Sequence, residues 1–121
     1  MSKISEGKIG EDIACEFLKN RGYKILERNF QKRYGEIDIV AKDKDVLVFV
    51  EVKTRKSGEY GRPEEAVTPR KLHDVIKTSK YYLLTHPELS DNCRIDVVAV
   101  ELNPDDSPRR IELFPNVTSY S

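Results

Sequence analysis

Residues 35–53 read GEIDIVAKDKDVLVFVEVK. The segments 35–42 and 46–54 are rich in Ile and Val, which favour β-strands, and the polar segment 43–45 between them favours a turn. We therefore predict two antiparallel strands joined by a tight loop. Because apolar residues fall on both faces of each strand, we expect the pair to lie in the centre of a sheet that is covered on both sides.

The predicted hairpin also assigns side chains to faces. Side chains alternate along a strand, so Glu36, Asp38 and Val40 are predicted to share one face and Ile37 and Ile39 the other. A shift of the pairing by one residue would move one set of side chains to the opposite face.

Three charged side chains stand out in these apolar strands, namely Asp38, Glu51 and Lys53. Charges are costly inside a sheet unless they are paired or hold a metal. A loop over residues 43–46 would place Asp38 opposite Glu51 and Glu36 opposite Lys53, with facing Cβ atoms about 4.5–5.5 Å apart. One hard cation fits between two such carboxylates. The alternative is a salt bridge from Lys53 to Glu36 or Glu51 at a solvated strand end, and the spacing alone leaves both interpretations open.

Composition indicates one soluble domain over residues 1–121. The chain has no apolar run near the ~20 residues of a membrane span, and it begins without a signal-peptide pattern. Cys15 and Cys93 show no zinc or disulfide spacing, which favours a reducing, cytoplasmic location. The net charge is zero, but residues 1–84 hold 18 basic against 14 acidic residues, and residues 85–121 hold 3 against 7. This uneven distribution permits nucleic-acid binding without predicting it.

The remaining pattern predicts an α/β protein with the element order αβββαββ. Outside the hairpin, the predicted elements are a helix over 5–21, a strand over 23–30, a helix from 69 to about 85, and strands over 93–102 and 110–114. Ser5 and Thr68 are the predicted N-caps, and Gly22 is predicted to end the first helix. No glycine-rich phosphate loop is present, so we expect no nucleotide cofactor.

Two further features each leave two interpretations open. The basic loop over 54–67 either closes over a phosphate backbone or is a solvated connection. Asp96 either adds a second acidic site or, as we favour, forms a salt bridge with Arg94.

Six motifs together resemble the YraN-like family of predicted nucleases, which is related to archaeal Holliday-junction resolvases. They are Gly10-Glu11-Asp12-Ile13-Ala14, Gly22-Tyr23, Asn29-Phe30, Gly35-Glu36-Ile37-Asp38, Phe49-Val50-Glu51-Val52-Lys53-Thr54-Arg55 and Arg94-Ile95-Asp96-Val97-Val98. The resemblance implies a restriction-endonuclease-like core, in which helices flank a mixed sheet. It also implies an Asp…Glu-x-Lys metal site.

The resemblance assigns roles to particular residues. Asp38 and Glu51 would be metal ligands, Lys53 the catalytic lysine, and Glu11 an additional acid that reaches the site from the first helix. We add the carbonyl of Val52 as a ligand of Mg²⁺ or Mn²⁺, and Glu36 as a further ligand or as an orienting group. The residues predicted to hold flanking phosphates are Arg33, Arg55, Lys56, Arg62 and Lys71.

The function expected from these residues is metal-dependent endonucleolytic hydrolysis of DNA, with branched or repair and recombination intermediates as substrates. One competing interpretation is a nucleic-acid-binding module that has a nuclease-like fold and little or no catalysis. The other is an RNA-processing nuclease that uses the same site. Because cleavage of a four-way junction usually needs two active sites, a homodimer is consistent with a DNA endonuclease.

Overall fold

The computed structural model describes residues 5–33, 35–57, 61–89 and 92–117. Its helices and strands follow the predicted order αβββαββ, with one additional 3-10 helix at Pro63–Ala66. The elements are α1 (Glu6–Asn20), β1 (Lys24–Lys32), β2 (Gly35–Asp43), β3 (Val46–Lys56), α2 (Pro69–Thr85), β4 (Cys93–Leu102) and β5 (Pro108–Phe114). The predicted α/β architecture, a mixed sheet flanked by helices, is therefore confirmed.

The five strands form one sheet in the order β1-β2-β3-β4-β5. Neighbouring strands are antiparallel, except that β3 and β4 run parallel from Leu47↔Cys93 to Lys56↔Leu102. Parallel neighbours need a long crossover connection, and α2 supplies it. One apolar cluster joins α1 to one face of the sheet, and a second joins α2 to the other. The central strands are thus covered on both sides, as the sequence predicted.

Both helices begin at the predicted caps. The Ser5 hydroxyl accepts a hydrogen bond from the Lys8 amide at 3.2 Å, and the Thr68 hydroxyl accepts one from the Lys71 amide at 3.2 Å. Gly22 follows α1 with a φ of 92°, a left-handed conformation that favours glycine. Among the described residues, no helix is both long enough and apolar enough to cross a membrane.

The lengths of the two edge strands differ from prediction. β1 continues to Lys32 instead of ending at residue 30, and β5 begins at Pro108 instead of residue 110. In both places pairing with a neighbouring strand extends the element through exposed polar residues, since Lys32 pairs with Gly35 and Pro108 with Leu102. An exposed polar strand carries no apolar alternation from which it could have been recognised.

The regular alternation of faces fails in the middle of β2. Ile37 packs with Val40 in the cluster that faces α2, whereas Ile39 and Ala41 pack in the cluster that faces α1. The predicted separation of Ile37 from Val40 is therefore wrong. Recorded pairing of β2 with β3 ends at Ile39↔Val50, so the irregularity falls immediately beside Asp38.

Candidate metal centre

Three acidic side chains from two elements converge at the start of β2. Glu11 comes from α1, whereas Glu36 and Asp38 come from β2, and one carboxylate oxygen of each lies within 4.8 Å of the others. The first helix thus brings an acid to the strand acids, as expected. Burial and the negative charges of Asp38 and Glu36 raise the pKa of Glu11, against the opposing charge of Arg28.

Asp38 is held where β2 separates from β3. Its side chain is buried, and Oδ2 accepts a hydrogen bond from the Val52 amide at 2.7 Å. The carboxylate therefore accepts from a backbone N–H group of β3 that lies beyond the last pair of β2 and β3 residues. Burial raises the pKa of Asp38, the Val52 hydrogen bond opposes the shift, and the charge of Glu36 adds to it.

Glu51 is the most deeply buried acid of the site, with an exposed fraction of 3%. Its Oε1 lies 3.8 Å from Nζ of both Lys53 and Lys71. Burial and the charge of Asp38 raise the pKa of Glu51 to about 8, against the attraction of Lys71 and Lys53. The alternative salt bridge between Lys53 and Glu51 is thus present, and it lies at the same place as the acids.

One oxygen of this site lacks a partner. Glu51 Oε2 is buried and has no hydrogen-bond partner among the described residues. Two ionised carboxylates have no donor between them, whereas a proton kept on Glu51 can join it to Asp38. A divalent cation would do the same without a proton. The buried oxygen and the carboxylate cluster beside it therefore suit a hard cation with oxygen ligands.

The residues that support this cluster were not predicted from the sequence. Arg28 Nη2 donates to Asp12 Oδ1 at 2.8 Å and lies 3.7 Å from Glu11 Oε1, which ties α1 to β1. Gly10 packs directly against Thr54 on β3, so that the helix approaches the sheet one residue before Glu11. Asn29, which lies at the cluster itself, also had no assigned role. Gly10 and Asn29 both occur in the family motifs, and that was the available signal.

The five predicted phosphate-binding residues lie in different surroundings. Lys71 lies beside Glu51, whereas Lys56 Nζ forms an ion pair with Asp106 Oδ1 at 3.0 Å. Arg33 and Arg62 are exposed, and Arg55 is half-buried on β3. Residues 58–60 of the predicted basic loop lie outside the described part of the chain.

Asp96 belongs to a separate, structural network. It is fully buried and accepts hydrogen bonds from Arg94 Nε at 3.0 Å, from the Tyr23 hydroxyl at 3.1 Å and from the Asn116 amide at 2.8 Å. The predicted salt bridge between Arg94 and Asp96 is confirmed. Three donors satisfy the Asp96 carboxylate. Through Tyr23 the network connects β4 to the segment that follows α1.

Two solved structures show weak overall similarity to this fold. The EndoMS-dsDNA2 complex aligns with a TM-score of 0.39 and 16% identity over 78% of this chain and 36% of that chain. A repair endonuclease from Pyrococcus abyssi aligns with a TM-score of 0.37 and 19% identity over 86% of this chain and 40% of that chain. This chain therefore spans less than half the length of either structure.

Sequence relatives are much closer. The UPF0102 protein of Syntrophus aciditrophicus is 51% identical over 111 residues, which cover 92% of this chain and 86% of that protein. The UPF0102 protein of Syntrophomonas wolfei is 50% identical over 94 residues, which cover 78% and 82%. The model of the uncharacterised protein family UPF0102 matches residues 10–100. The chain therefore belongs to the UPF0102 family, the YraN-like family whose motifs it carries.

Proposed function

We propose that this protein is a metal-dependent endonuclease that hydrolyses phosphodiester bonds in DNA, with branched or repair and recombination intermediates as its substrates. The observation that carries the proposal is the buried Glu51 Oε2 beside Asp38, which has no partner in the described part of the chain, with Lys53 and Lys71 on the other oxygen of the same carboxylate. An acid in this position is costly for stability alone and is useful if it binds a cation.

The ligand set of the proposal is Asp38, Glu51, Glu11 and Glu36, together with the carbonyl of Val52. The Val52 amide already points toward Asp38, and the amide and carbonyl of one strand residue face the same neighbouring strand. Mg²⁺ or Mn²⁺ suits such oxygen ligands, and a bound ion of this kind would polarise the scissile phosphate and acidify a water molecule. The ion would also take the place of a proton between Glu51 and Asp38.

The two lysines would act on the other side of Glu51. A charged Lys53 would orient the attacking water and stabilise the additional negative charge of the transition state, whereas a neutral Lys53 would accept the proton of that water. Lys71, in the first turn of α2, lies at the same distance from Glu51 Oε1. Lys71 would hold a phosphate that flanks the cleaved bond.

Residues farther from the acids would hold the flanking phosphates of the nucleic acid. Arg33 and Arg62 are exposed and Arg55 is half-buried, so these residues would position the backbone without reading its sequence. Lys56 would have to exchange its ion pair with Asp106 for a phosphate. Its net contribution to binding should therefore be smaller.

Cleavage assays test the proposal. Branched, flapped and duplex DNA, and RNA of matched sequence, are incubated with Mg²⁺ or Mn²⁺ and with the wild type, Asp38→Ala or Lys53→Ala. Lys80→Ala, a change of an exposed lysine on α2, is the control and should cut like the wild type. Metal-dependent cleavage that survives both site substitutions would contradict the proposed site, whereas a preference for RNA would correct the substrate.

A specific observation also favours the competing function, a nucleic-acid-binding module without catalysis. Either the ion pairs of Lys53 and Lys71 with an ionised Glu51, or a proton on Glu51, can balance much of the acidic charge without a metal. Calorimetric titration separates the two functions, because absence of Mg²⁺ and Mn²⁺ binding at millimolar concentration would favour the binding module. Sedimentation of the protein with and without a four-way junction tests whether it acts as a homodimer.

A further inference from the structure

Asn29 lies between two of the three clustered acids. When its amide nitrogen faces the carboxylates, it donates to Glu11 Oε1 at 2.9 Å and to Glu36 Oε1 at 3.0 Å. This orientation is assigned from the hydrogen-bond network, because the opposite one would place the amide oxygen against carboxylate oxygens. An amide NH₂ group has two donors. Both are therefore engaged, one by the helix acid and one by the strand acid.

The backbone of Asn29 is unusual for a strand residue. Its φ is 54°, in the left-handed region that asparagine tolerates better than most other residues. The residues on either side of it, Arg28 and Phe30, pair with β2 as ordinary antiparallel partners of Ile39 and Ile37. The conformation is thus local to one residue, and it occurs where the side chain reaches the acids. Such a local departure from strand geometry at a polar cluster motivates a functional hypothesis for Asn29.

The two hydrogen bonds restrict how the acids can bind a cation. Each uses Oε1 of its acid, which leaves the other oxygen of Glu11 and of Glu36 to face an ion. Ca²⁺ takes six to eight oxygen ligands and often binds a carboxylate through both oxygens, whereas Mg²⁺ requires a near-octahedral set at about 2.0–2.1 Å. Holding one oxygen of each acid therefore disfavours the larger ion.

We propose that Asn29 is a positioning residue that fixes Glu11 and Glu36 as monodentate ligands and thereby makes the site select Mg²⁺ or Mn²⁺ over Ca²⁺. This inference rests on the metal site of the proposed function. Asn29 would determine ion selectivity without contributing a ligand atom itself. A neutral amide suits the role because it orders two like charges without cancelling the charge that attracts the cation.

The test compares two substitutions that keep the backbone conformation accessible. Asn29→Gly removes both donors, and Asn29→Asp keeps the size of the side chain but presents only acceptors. Lys44→Gly is the matched control, because Lys44 also has a positive φ of 55° but lies in the β2–β3 turn. Mn²⁺ binding is measured by electron paramagnetic resonance, and Ca²⁺ affinity by its displacement of Mn²⁺. Circular dichroism shows which variants are folded.

We expect the wild type and Lys44→Gly to bind Mn²⁺ and to resist displacement by Ca²⁺. Asn29→Gly should weaken Mn²⁺ binding by about 10–100-fold, the usual effect of losing a group that orients a ligand. Both Asn29 variants should shift the ratio of Ca²⁺ to Mn²⁺ affinity toward Ca²⁺ by about tenfold or more. A purely structural role for Asn29 would leave this ratio unchanged.

The two ways of failing are distinguishable. A wild type that binds no Mn²⁺ at millimolar concentration overturns the metal site and this inference together. If the wild type binds Mn²⁺ but a folded Asn29 variant has the same ratio of Ca²⁺ to Mn²⁺ affinity, the role of Asn29 alone is overturned.

Discussion

Gly10 of α1 lies so close to Thr54 of β3 that a Cβ atom at position 10 would be 2.8 Å from Thr54 Cβ and would overlap the Thr54 hydroxyl. This contact sets how closely the first half of α1 approaches the sheet. Glu11 follows Gly10 directly, so the same contact sets the position of the helix acid in the cluster. A packing requirement at one residue thereby becomes a geometric requirement of the site.

Gly10→Ala should destabilise the protein by about 1–3 kcal/mol, because the added methyl group overpacks a tight contact. Without the contact with Thr54, replacing glycine by alanine would stabilise the helix by about 1 kcal/mol. A decrease in the free energy of unfolding would therefore show that this contact is tight. Urea unfolding measures it. Gly7→Ala is the control, since its nearest neighbour is Ser5 Oγ at 4.0 Å, and it should be neutral or stabilising.

A second substitution tests the partner. Adding Thr54→Ala to Gly10→Ala removes the Thr54 hydroxyl and methyl group but keeps the Cβ atom at 2.8 Å, so the double variant should recover part of the lost stability. Additive losses in this double-mutant cycle would show that Thr54 is not the contact responsible.

Asp38→Asn should leave the fold intact and abolish metal binding. An asparagine oxygen can still accept the Val52 hydrogen bond that Asp38 accepts at 2.7 Å, but it lacks the charge that attracts a cation. Thermal unfolding with and without Mn²⁺ measures the outcome, because a ligand that binds the folded state at 100 times its Kd stabilises it by about 2.7 kcal/mol. We expect this stabilisation in the wild type and none in the variant. Glu16→Gln, a change on the exposed face of α1, is the control.

Glu51 should make the metal-free protein less stable as the pH rises. Its pKa is about 8 in the folded protein and near 4.5 when it is unperturbed. Below pH 4.5 Glu51 is protonated in both the folded and the unfolded state, and its contribution to the free energy of unfolding is fully present. Between pH 4.5 and pH 8 the unfolded state releases this proton while the folded state keeps it, so the free energy of unfolding falls. The contribution of Glu51 is lost once the pH passes 8.

Glu51→Gln removes this titration and should flatten the decline, with a difference of at least ~1.4 kcal/mol between pH 5 and pH 8.5, the value of a single pKa unit. Urea unfolding in the presence of a chelator measures it. Asp38 and Glu11, whose pKa values are also raised, should leave a smaller decline in the variant. Parallel curves for wild type and variant would contradict the assignment.

The ion pair of Lys56 with Asp106 should limit binding of nucleic acid. Asp106→Asn removes this ion pair of Lys56 and retains a residue that tolerates the φ of 72° at this position. We expect tighter DNA binding at low salt and a steeper loss of affinity with salt, by about one additional phosphate contact. Lys71→Ala should change both quantities in the opposite direction. Fluorescence anisotropy across a salt series measures both, and an unchanged slope for Asp106→Asn would show that Lys56 does not reach the phosphates.

Much of this fold was predictable from local chemistry. The strands of the hairpin follow from their Ile and Val content, the helix starts from Ser5 and Thr68-Pro69, and the end of α1 from Gly22. The convergence of Glu11 with Glu36 and Asp38 was expected from the resemblance to the family, and the structure brings these acids together. Their roles as ligands stay predictions.

The face assignment failed in β2 for a physical reason. Ile37, Ile39, Val40 and Ala41 are all fully buried, and the alternation of faces breaks between Ile37 and Ile39, so a pattern of apolar residues does not reveal the break. The position of Asn29 was equally hidden, because a left-handed residue inside a strand leaves no periodic signal. Both features depend on contacts between elements, which spacing along one chain does not record.

The open sheet has consequences for self-association. β1 and β5 form its two edges, and unpaired edge strands invite pairing with another chain unless the sequence prevents it. β1 is interrupted by a shift of pairing between Ile25 and Glu27 and ends in exposed Lys32, while β5 begins at Pro108 and exposed Arg109. Both edges are therefore protected against joining a second sheet. We expect any dimer that presents two active sites to one junction to assemble through helices or loops instead of a continuous sheet.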